Sequence, residues 1–303
     1  MSVRMDHIQS RLNWKWRSFI RGLRNLDGFQ IFLLFFLTAL SVFMLLPLVY
    51  LANHAFKPFH ELFLFPPNFI VREPTTQNFY ELVTITRDSF VPVSRYFFNS
   101  VVVTIATTTG MMVFSALCAY PLSKHRFPGR SVLFSSIIIA LLFVPEVLGI
   151  PRYVVVHSLG IMNTYWGHIL PLLALPVGVF LLKQFIDQMP DELLDAAKID
   201  GAGEWTTFLK IVIPVVMPAM ATVGILSFQA SWSNTETSTL FMQDESMKTL
   251  PFYLSTITAN LANAVARQGA AAAGALILFV PQLIIFLFFQ SKVIATMAHS
   301  GIK

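Results

Sequence analysis

Long apolar runs, separated by short polar breaks, dominate the chain, and their lengths define its elements. Runs of about 20 apolar residues match the thickness of a bilayer's hydrocarbon core. Six such stretches stand out, at about 29–52, 97–121, 131–150, 165–186, 208–231 and 270–291. They predict an all-α membrane protein of six transmembrane helices. An even number of spans puts both ends on one side. The divisions are a basic tail over 1–28, one transmembrane domain over 29–291 and a short tail over 292–303.

The polar breaks supply orientation. Arg4, Arg11, Lys15, Arg17, Arg21 and Arg24 crowd the first tail against Asp6 and Asp27, and "SKHRFPGR" between spans two and three carries Lys124, Arg126 and Arg130 without an acid. Basic loops stay in the cytoplasm, so both termini are read as cytoplasmic. In residues 53–96, Lys57, Arg72, Arg87 and Arg95 are matched by Glu61, Glu73, Glu81 and Asp88, as suits an outer segment. Prolines 58, 66, 67, 74 and 92 break that stretch, so it is expected to be irregular rather than helical. Residues 232–269 form the second outer loop.

Within the spans, small residues recur at helical spacing. Thr104, Thr108, Ser115 and Ala119 share a face, as do Gly224, Ser227 and Ser231, and Ala270 pairs with Gly274 and Ala271 with Ala275. Such stripes let helix backbones approach closely in lipid. A substrate path is the alternative role. Pro145, Pro171, Pro176, Pro214, Pro218 and Pro281 can kink the spans.

Composition agrees with this pattern. Of 303 residues, 55% are hydrophobic and 12% charged, about half the usual charged share of soluble domains. The formal charge of +5 lies at span ends and in the first tail, so it reads as an orientation signal rather than a nucleic-acid footprint. Cys118 stands alone in an apolar run, closes no intrachain disulfide and reads as a packing residue.

Catalytic chemistry is not evident. No phosphate-cradling GxxxxGK[ST] string, HExxH, CxxC or GxSxG occurs. The histidines at 7, 54, 60, 125, 157, 168 and 299 are scattered and read as interfacial or loop residues, without metal-ligand spacing. Glu146, at the end of the third span, is the one acid near a span and reads as solvated or locally paired, with a proton relay as the alternative.

The exception to the apolar pattern is "DELLDAAKIDGAGEWTTFLKIVIP", Asp191 to Pro214. Asp191 follows Pro190 and can cap a helix whose first turn holds Glu192. Leu193, Ala196 and Ala197 make an apolar, nearly flat face. Asp200-Gly201 supplies a sharp turn, and Trp205, Phe208 and Leu209 lead a second helix into the fifth span. A flat alanine face suits a docking element in the cytoplasm.

These residues resemble the EAA loop of ABC-importer permeases: EAA, three residues, Gly, nine residues, then I-x-L-P. The chain reads Asp195-Ala196-Ala197, Gly201 and Ile211-Val212-Ile213-Pro214, with Asp195 for the family's Glu and Ile213 for its Leu. "AYPLSKHRFPGR" (119–130), "LGIMNTYWGHILP" (159–171), "KIDGAGEW" (198–205), "KTLP" (248–251) and "FVPQLIIFLFFQSKVI" (279–294) resemble the carbohydrate-importing, MalG-like branch. Ser231 to Ser238, "SWSNTETS", stands where relatives carry a Trp-Asn-Glu-like segment.

The resemblance implies an ABC type I importer-like fold in the bacterial cytoplasmic (inner) membrane, with a cytoplasmic coupling helix. It implies four kinds of partner besides membrane lipid: a second permease subunit, a cytoplasmic ABC ATPase dimer, an extracytoplasmic solute-binding protein and a carbohydrate substrate. ATP and Mg would sit on the partner ATPase, with no cofactor or metal in this chain, which is not an enzyme. ATPase coupling would fall to Asp195, Ala196, Ala197, Asp200 and Gly201. The loop from Thr235 to Asn263 would meet the binding protein, and the tail Gly301-Ile302-Lys303 the ATPase. Gln229, Trp232 and Asn234 are the expected substrate contacts, since sugars offer hydroxyls to bond and apolar faces to stack; interfacial anchoring explains Trp232 as well. The rival class is a self-sufficient six-span secondary carrier.

Overall fold

The computed structural model describes residues 27–66, 68–84, 91–259 and 267–300, except for the side chains of 145, 146, 258, 259 and 292–300. The basic tail, Arg87, Asp88, the Glu146 side chain, Asn263 and the tail 301–303 lie outside the described residues. Two compact units divide between Asn53 and His54.

Among the described residues the chain folds into helices and contains no strand. In order they are α1 (Gly28–Phe56), α2 (Phe59–Leu62), α3 (Gln77–Thr84), α4 (Val93–Lys124), α5 (Arg130–Leu141), α6 (Gly149–Ser158), α7 (Tyr165–Leu173), α8 (Pro176–Asp187), α9 (Glu192–Ile199), α10 (Glu204–Thr207), α11 (Ile213–Trp232), α12 (Glu236–Phe241), α13 (Leu250–Ala259) and α14 (Gln268–Ser300). A π turn over Phe208–Val212 joins α10 to α11 in one run, Glu204–Trp232.

Four of these runs are long and apolar enough to cross a membrane: α1, α4, Glu204–Trp232 and residues Gln268–Ser291 of α14. At about 1.5 Å per residue, each exceeds a hydrocarbon core of about 30 Å. The predicted fourth span is instead a bent pair, α7 and α8, meeting at 43°. Pro176 takes the first turn of α8, where its missing N–H is tolerated, and the residue before a proline is pushed out of helical backbone; Leu175 is accordingly extended. The predicted third span, 131–150, is also interrupted. Its helix α5 ends at Leu141, a 3₁₀ turn covers Pro145–Leu148, and α6 begins at Gly149. Hydropathy sums smoothly across Phe143-Val144-Pro145, but proline removes the donor that would continue the helix.

The unit beginning at His54 is built around α4, which packs along α8, α11 and α7, while α11 also packs along α14 and α8. Met111, Ala116, Ala119 and Tyr120 of α4 interlock with Leu182 and Ile186 of α8 and with Val216, Ala219, Met220 and Val223 of α11. Small residues make this possible, as their spacing predicts: Ser115 and Ala119 are buried, and a Cβ on Gly178 of α8 would stand 2.5 Å from the Ser115 hydroxyl. Gly178→Val should therefore force the helices apart and cost about 1–3 kcal/mol. A drop in the thermal midpoint of the detergent-purified protein would report it; an unchanged midpoint would show that the contact yields freely.

Three sequence expectations change. The stretch 53–96 is not irregular throughout, because α3 forms an eight-residue helix there; the prolines bracket it without entering it. Cys118 is exposed rather than packed, on the wall of an open apolar groove shared with Pro121, Ile137 and Val179. His168 is neither interfacial nor in a loop but lies fully buried in α7.

Candidate functional site

The polar block Asp191–Pro214 forms the site, and it is braced from both sides. Lys124, the last residue of α4, reaches across to α9: its ammonium donates to the Asp191 carboxylate at 2.6 Å and to the Met189 carbonyl at 2.6 Å. Ion pairing with Lys124 holds the Asp191 carboxyl below its ordinary range. Asp191 does occupy the cap position of α9, but its side chain makes no capping hydrogen bond. The stronger, charge-assisted partner has taken it.

Around this tie the end of α4 is stitched down. The Arg130 guanidinium donates to the carbonyls of Leu122 at 2.9 Å and Ser123 at 3.0 Å, groups that a helix terminus leaves without partners. Ser123 donates to Asp187 at 2.5 Å, and Lys183 reaches the other oxygen of that carboxylate at 2.6 Å. Ser123, Lys124, Arg130, Asp187, Asp191 and Lys198 line a polar cavity of about 380 Å³. The second piece of the block is tied to the same helix end. Glu204, opening α10, accepts from the Tyr120 hydroxyl at 3.1 Å and lies 3.3 Å from His125 Nε2, while Tyr120 packs on Phe208 at 5.5 Å.

Helix α9 divides its apolar residues between two faces. Leu194 and Ala197 are buried, and Leu194 joins the core beside Met189, Phe208 and Val212. Leu193, Ala196 and Ile199 are exposed, Ile199 to 86%. The expected face of Leu193, Ala196 and Ala197 is thus split: Ala197 turns inward, and the outward stripe runs through Ile199 instead. Asp195 and Asp200 are also exposed, Asp195 lying 3.8 Å from Lys198.

Beyond α9 the chain reverses at Gly201, whose φ is +76°. Its N–H donates to Lys198 O at 3.0 Å and that of Ala202 to Ala197 O at 2.9 Å, a Schellman ending that needs a left-handed residue at this position. Of the five expected coupling residues, the structure gathers Asp195, Ala196, Asp200 and Gly201 on exposed positions of one helix–turn element and puts Ala197 beneath it.

The other end of α4 is fastened just as firmly. Asn99, fully buried, donates to the carbonyls of Ser246 and Lys248 at 2.8 Å each and accepts from the Tyr165 hydroxyl at 2.8 Å. His168 Nδ1 lies 2.8 Å from the Thr237 hydroxyl, and Nε2 donates to the Met247 carbonyl at 3.0 Å. Arg152 pairs with both oxygens of Glu236 at 2.8 and 2.9 Å. The described part of the predicted outer loop is thereby pinned to α4, α6 and α7. Among the expected substrate contacts, Gln229 is exposed. Trp232 is buried and donates to the Leu278 carbonyl at 2.9 Å. Asn234 accepts from the N–H and hydroxyl of Thr237 at 2.9 Å each.

Lys124 is thus more than an orientation charge, and Asn99, Tyr165 and Arg152 are bracing residues that no sequence motif marks. An isolated amide inside an apolar run is the signal that could have marked Asn99, because a buried amide demands partners.

Comparison with known proteins gives this geometry its setting. Residues 26–293 match the family described as binding-protein-dependent transport system inner membrane component. The chain is 32% identical over 275 residues to the arabinooligosaccharides transport system permease protein AraQ of Halalkalibacterium halodurans, covering 88% of this chain and 93% of that one. The corresponding protein of Bacillus subtilis is 30% identical, covering 91% and 96%. A chain from the crystal structure of a bacterial ABC transporter involved in the import of the acidic polysaccharide alginate superposes with a TM-score of 0.72 at 19% identity, covering 87% of this chain and 95% of that one. This chain belongs to the family of binding-protein-dependent transport system inner membrane components. It is a multi-pass membrane permease subunit and not a catalytic one.

Proposed function

We propose that this chain is the transmembrane subunit of an ATP-driven importer of sugars or oligosaccharides, forms half of the translocation pathway, and couples through α9 to a separate ATPase dimer. The observation that carries this reading is the two-faced helix α9. It exposes Leu193, Ala196 and Ile199 on one side while Leu194, Ala197 and the Lys124 tie hold the other. A solvated connector gains nothing from an outward apolar stripe on a helix so firmly braced; a partner's cleft does.

On this reading α9 is the coupling helix, and both termini and the Asp191–Pro214 block lie in the cytoplasm. Six crossings are reached by counting the bent pair α7–α8 as one and the short, interrupted α5 as another. ATP and Mg are bound by the partner ATPase, and a second permease completes the pathway. The carbohydrate class is supported by the arabinooligosaccharide permeases and by the 26% identical diacetylchitobiose uptake system permease protein NgcG of Streptomyces coelicolor. The solute-binding protein is supported by the alginate transporter solved with an alginate pentasaccharide-bound periplasmic protein, at a TM-score of 0.58. Gln229 offers substrate an exposed amide, with Trp232 and Asn234 shaping the helix end beside it. Movement of α9 would be passed to Glu204–Trp232 and to α4 together, because both are tied to it, and the bundle would alternate between two packings biased by ATP and by the loaded binding protein.

Lys124→Met tests the reading in the complete transporter reconstituted in vesicles. Methionine keeps the stem's packing and removes the ammonium that grips Asp191 and Met189. Transport per assembled complex should fall by about 5- to 150-fold, the range of a typical allosteric coupling. Unchanged transport would remove the tie from the coupling route, and ion-driven transport by this chain alone would replace the importer with a carrier. Because the Asp191 carboxyl is held low in the folded protein, the tie is fully present above the ordinary aspartate range and is lost only as pH falls through the depressed value.

A further inference from the structure

The segment that follows α1 is turned inside out. Its charged side chains point inward: Lys57 is 2% exposed and donates to the Asn68 carbonyl, and Glu61 is 3% exposed and accepts the backbone N–H groups of Arg72 at 3.1 Å and Glu73 at 2.9 Å. Asn78, also buried, donates to the carbonyls of Ala55 at 2.9 Å and Lys57 at 2.8 Å. Its large apolar side chains point outward. Phe59, Phe63, Leu64, Phe65 and Ile70 are all exposed, Phe65 to 95%, and Phe59 and Phe63 meet edge to face at 5.1 Å. Among the described residues from 59 to 70, His60 is the one exposed polar side chain.

Water would select the opposite arrangement, since burying a lysine and a glutamate while wetting four large apolar side chains and a fifth is unfavourable on both counts. The hydrogen bonds just described show that the inward charges are satisfied, so the arrangement is a built one. The surroundings that match it are fixed by chain continuity. Phe59 follows the end of the membrane-length helix α1 by three residues, which span at most about 11 Å of extended chain. That keeps the patch near the headgroup layer at the end of the span, where an exposed apolar face can seat against lipid. Exposed Arg72 and Glu73 then mark the return to water.

We propose that residues 59–66 and Ile70 form an interfacial foot, with Phe59, Phe63, Leu64, Phe65 and Ile70 seated in the phospholipid bilayer at the carboxyl end of α1 and the Lys57–Glu61 network stiffening the foot from behind. Short interfacial segments of this kind insert by about 5–10 Å. The foot anchors the segment that follows the first span at the membrane surface. It requires that the chain be embedded in a bilayer and is independent of the coupling role of α9 and of the substrate.

The test uses the complete transporter in phosphatidylethanolamine–phosphatidylglycerol nanodiscs, with cysteine-free partners and Cys118→Ala in this chain. Nitroxides are placed at Phe65→Cys, Ile70→Cys and, as the aqueous reference, Glu73→Cys. Relaxation by oxygen, which concentrates in lipid, is compared with relaxation by a water-soluble nickel chelate. Oxygen should dominate at 65 and 70 and nickel at 73. Equal nickel access at all three positions would return the segment to water and overturn the foot. Shielding of 65 and 70 from both reagents would overturn it too, by assigning the patch to a protein partner. Should the cysteine variants fail to assemble, Phe65→Trp in brominated-lipid nanodiscs decides the same question: fluorescence quenching should exceed that of the unmodified chain, and equal quenching counts against the foot.

Discussion

Gly201→Val should reduce ATP-driven uptake by about 5- to 150-fold, while Gly201→Asn keeps most of it. The difference isolates the backbone. No atom lies within 4 Å of where a side chain at 201 would begin, so valine meets no clash there. It does meet a φ of +76°, a region closed to β-branched residues at a cost of about 1–2 kcal/mol for ordinary ones. Asparagine enters that region far more readily. Relief of the strain would break the Ala202-to-Ala197 hydrogen bond and swing α9 away from the angle at which Leu193, Ala196 and Ile199 are presented. The measurement is uptake into vesicles together with ATPase stimulation by loaded binding protein. Equal uptake by the valine and glycine proteins would show that the turn's shape carries no coupling.

Asn99→Leu should produce the largest loss of stability. The amide makes three hydrogen bonds of 2.8 Å in a fully buried position. Leucine leaves the Ser246 and Lys248 carbonyls and the Tyr165 hydroxyl to find other partners, at about 1–3 kcal/mol for each one left unsatisfied. At the lower bound of about 1 kcal/mol for each of the three groups, the loss of about 3 kcal/mol would lower the thermal midpoint by roughly 6–12 °C, taking about 2–4 °C per kcal/mol, as is typical of domains of 150–250 residues. The segment 245–250 should also become accessible to protease. If the protein unfolds at its usual temperature and the segment resists cleavage, the amide is not the brace described here.

Much of this architecture is written in local sequence, and the remainder depends on distant contacts. Helices α1, α4, Glu204–Trp232 and α14 follow from apolar runs that no proline interrupts decisively. Hydropathy alone shows the third and fourth apolar stretches as unbroken because it is a sum over composition, whereas a break is made by single backbone donors missing at Pro145 and Pro176. The Asp191–Pro214 block was legible as helix, turn and helix because Gly201 and the neighbouring polar residues act within a few positions. Which face of α9 points outward was not legible. Leu193 and Leu194 are equivalent in any local pattern, and the choice between them is made by Met189, Phe208 and Val212 packing from behind. Lys124 and Asp191 stand 67 residues apart, and Asn99 and Ser246 are 147 apart. No periodicity connects such pairs, and only the folded bundle brings them together.

On the coupling route proposed above, the π turn at Phe208–Val212 changes how a push on α9 would reach the membrane. There the Ile213 N–H bonds back five residues to the Phe208 carbonyl, so the turn holds one residue more than an α-helical turn, and each residue advances a helix by about 100°. The surface of α10 that meets Tyr120 and His125 is therefore offset by that angle from the surface that α11 would present if the helix were regular. Such turns occur mostly as single-turn bulges within α-helices, frequently at functional sites. A displacement entering at the Glu204 end would therefore reach α11 turned by that offset, as along a screw thread rather than a rigid rod.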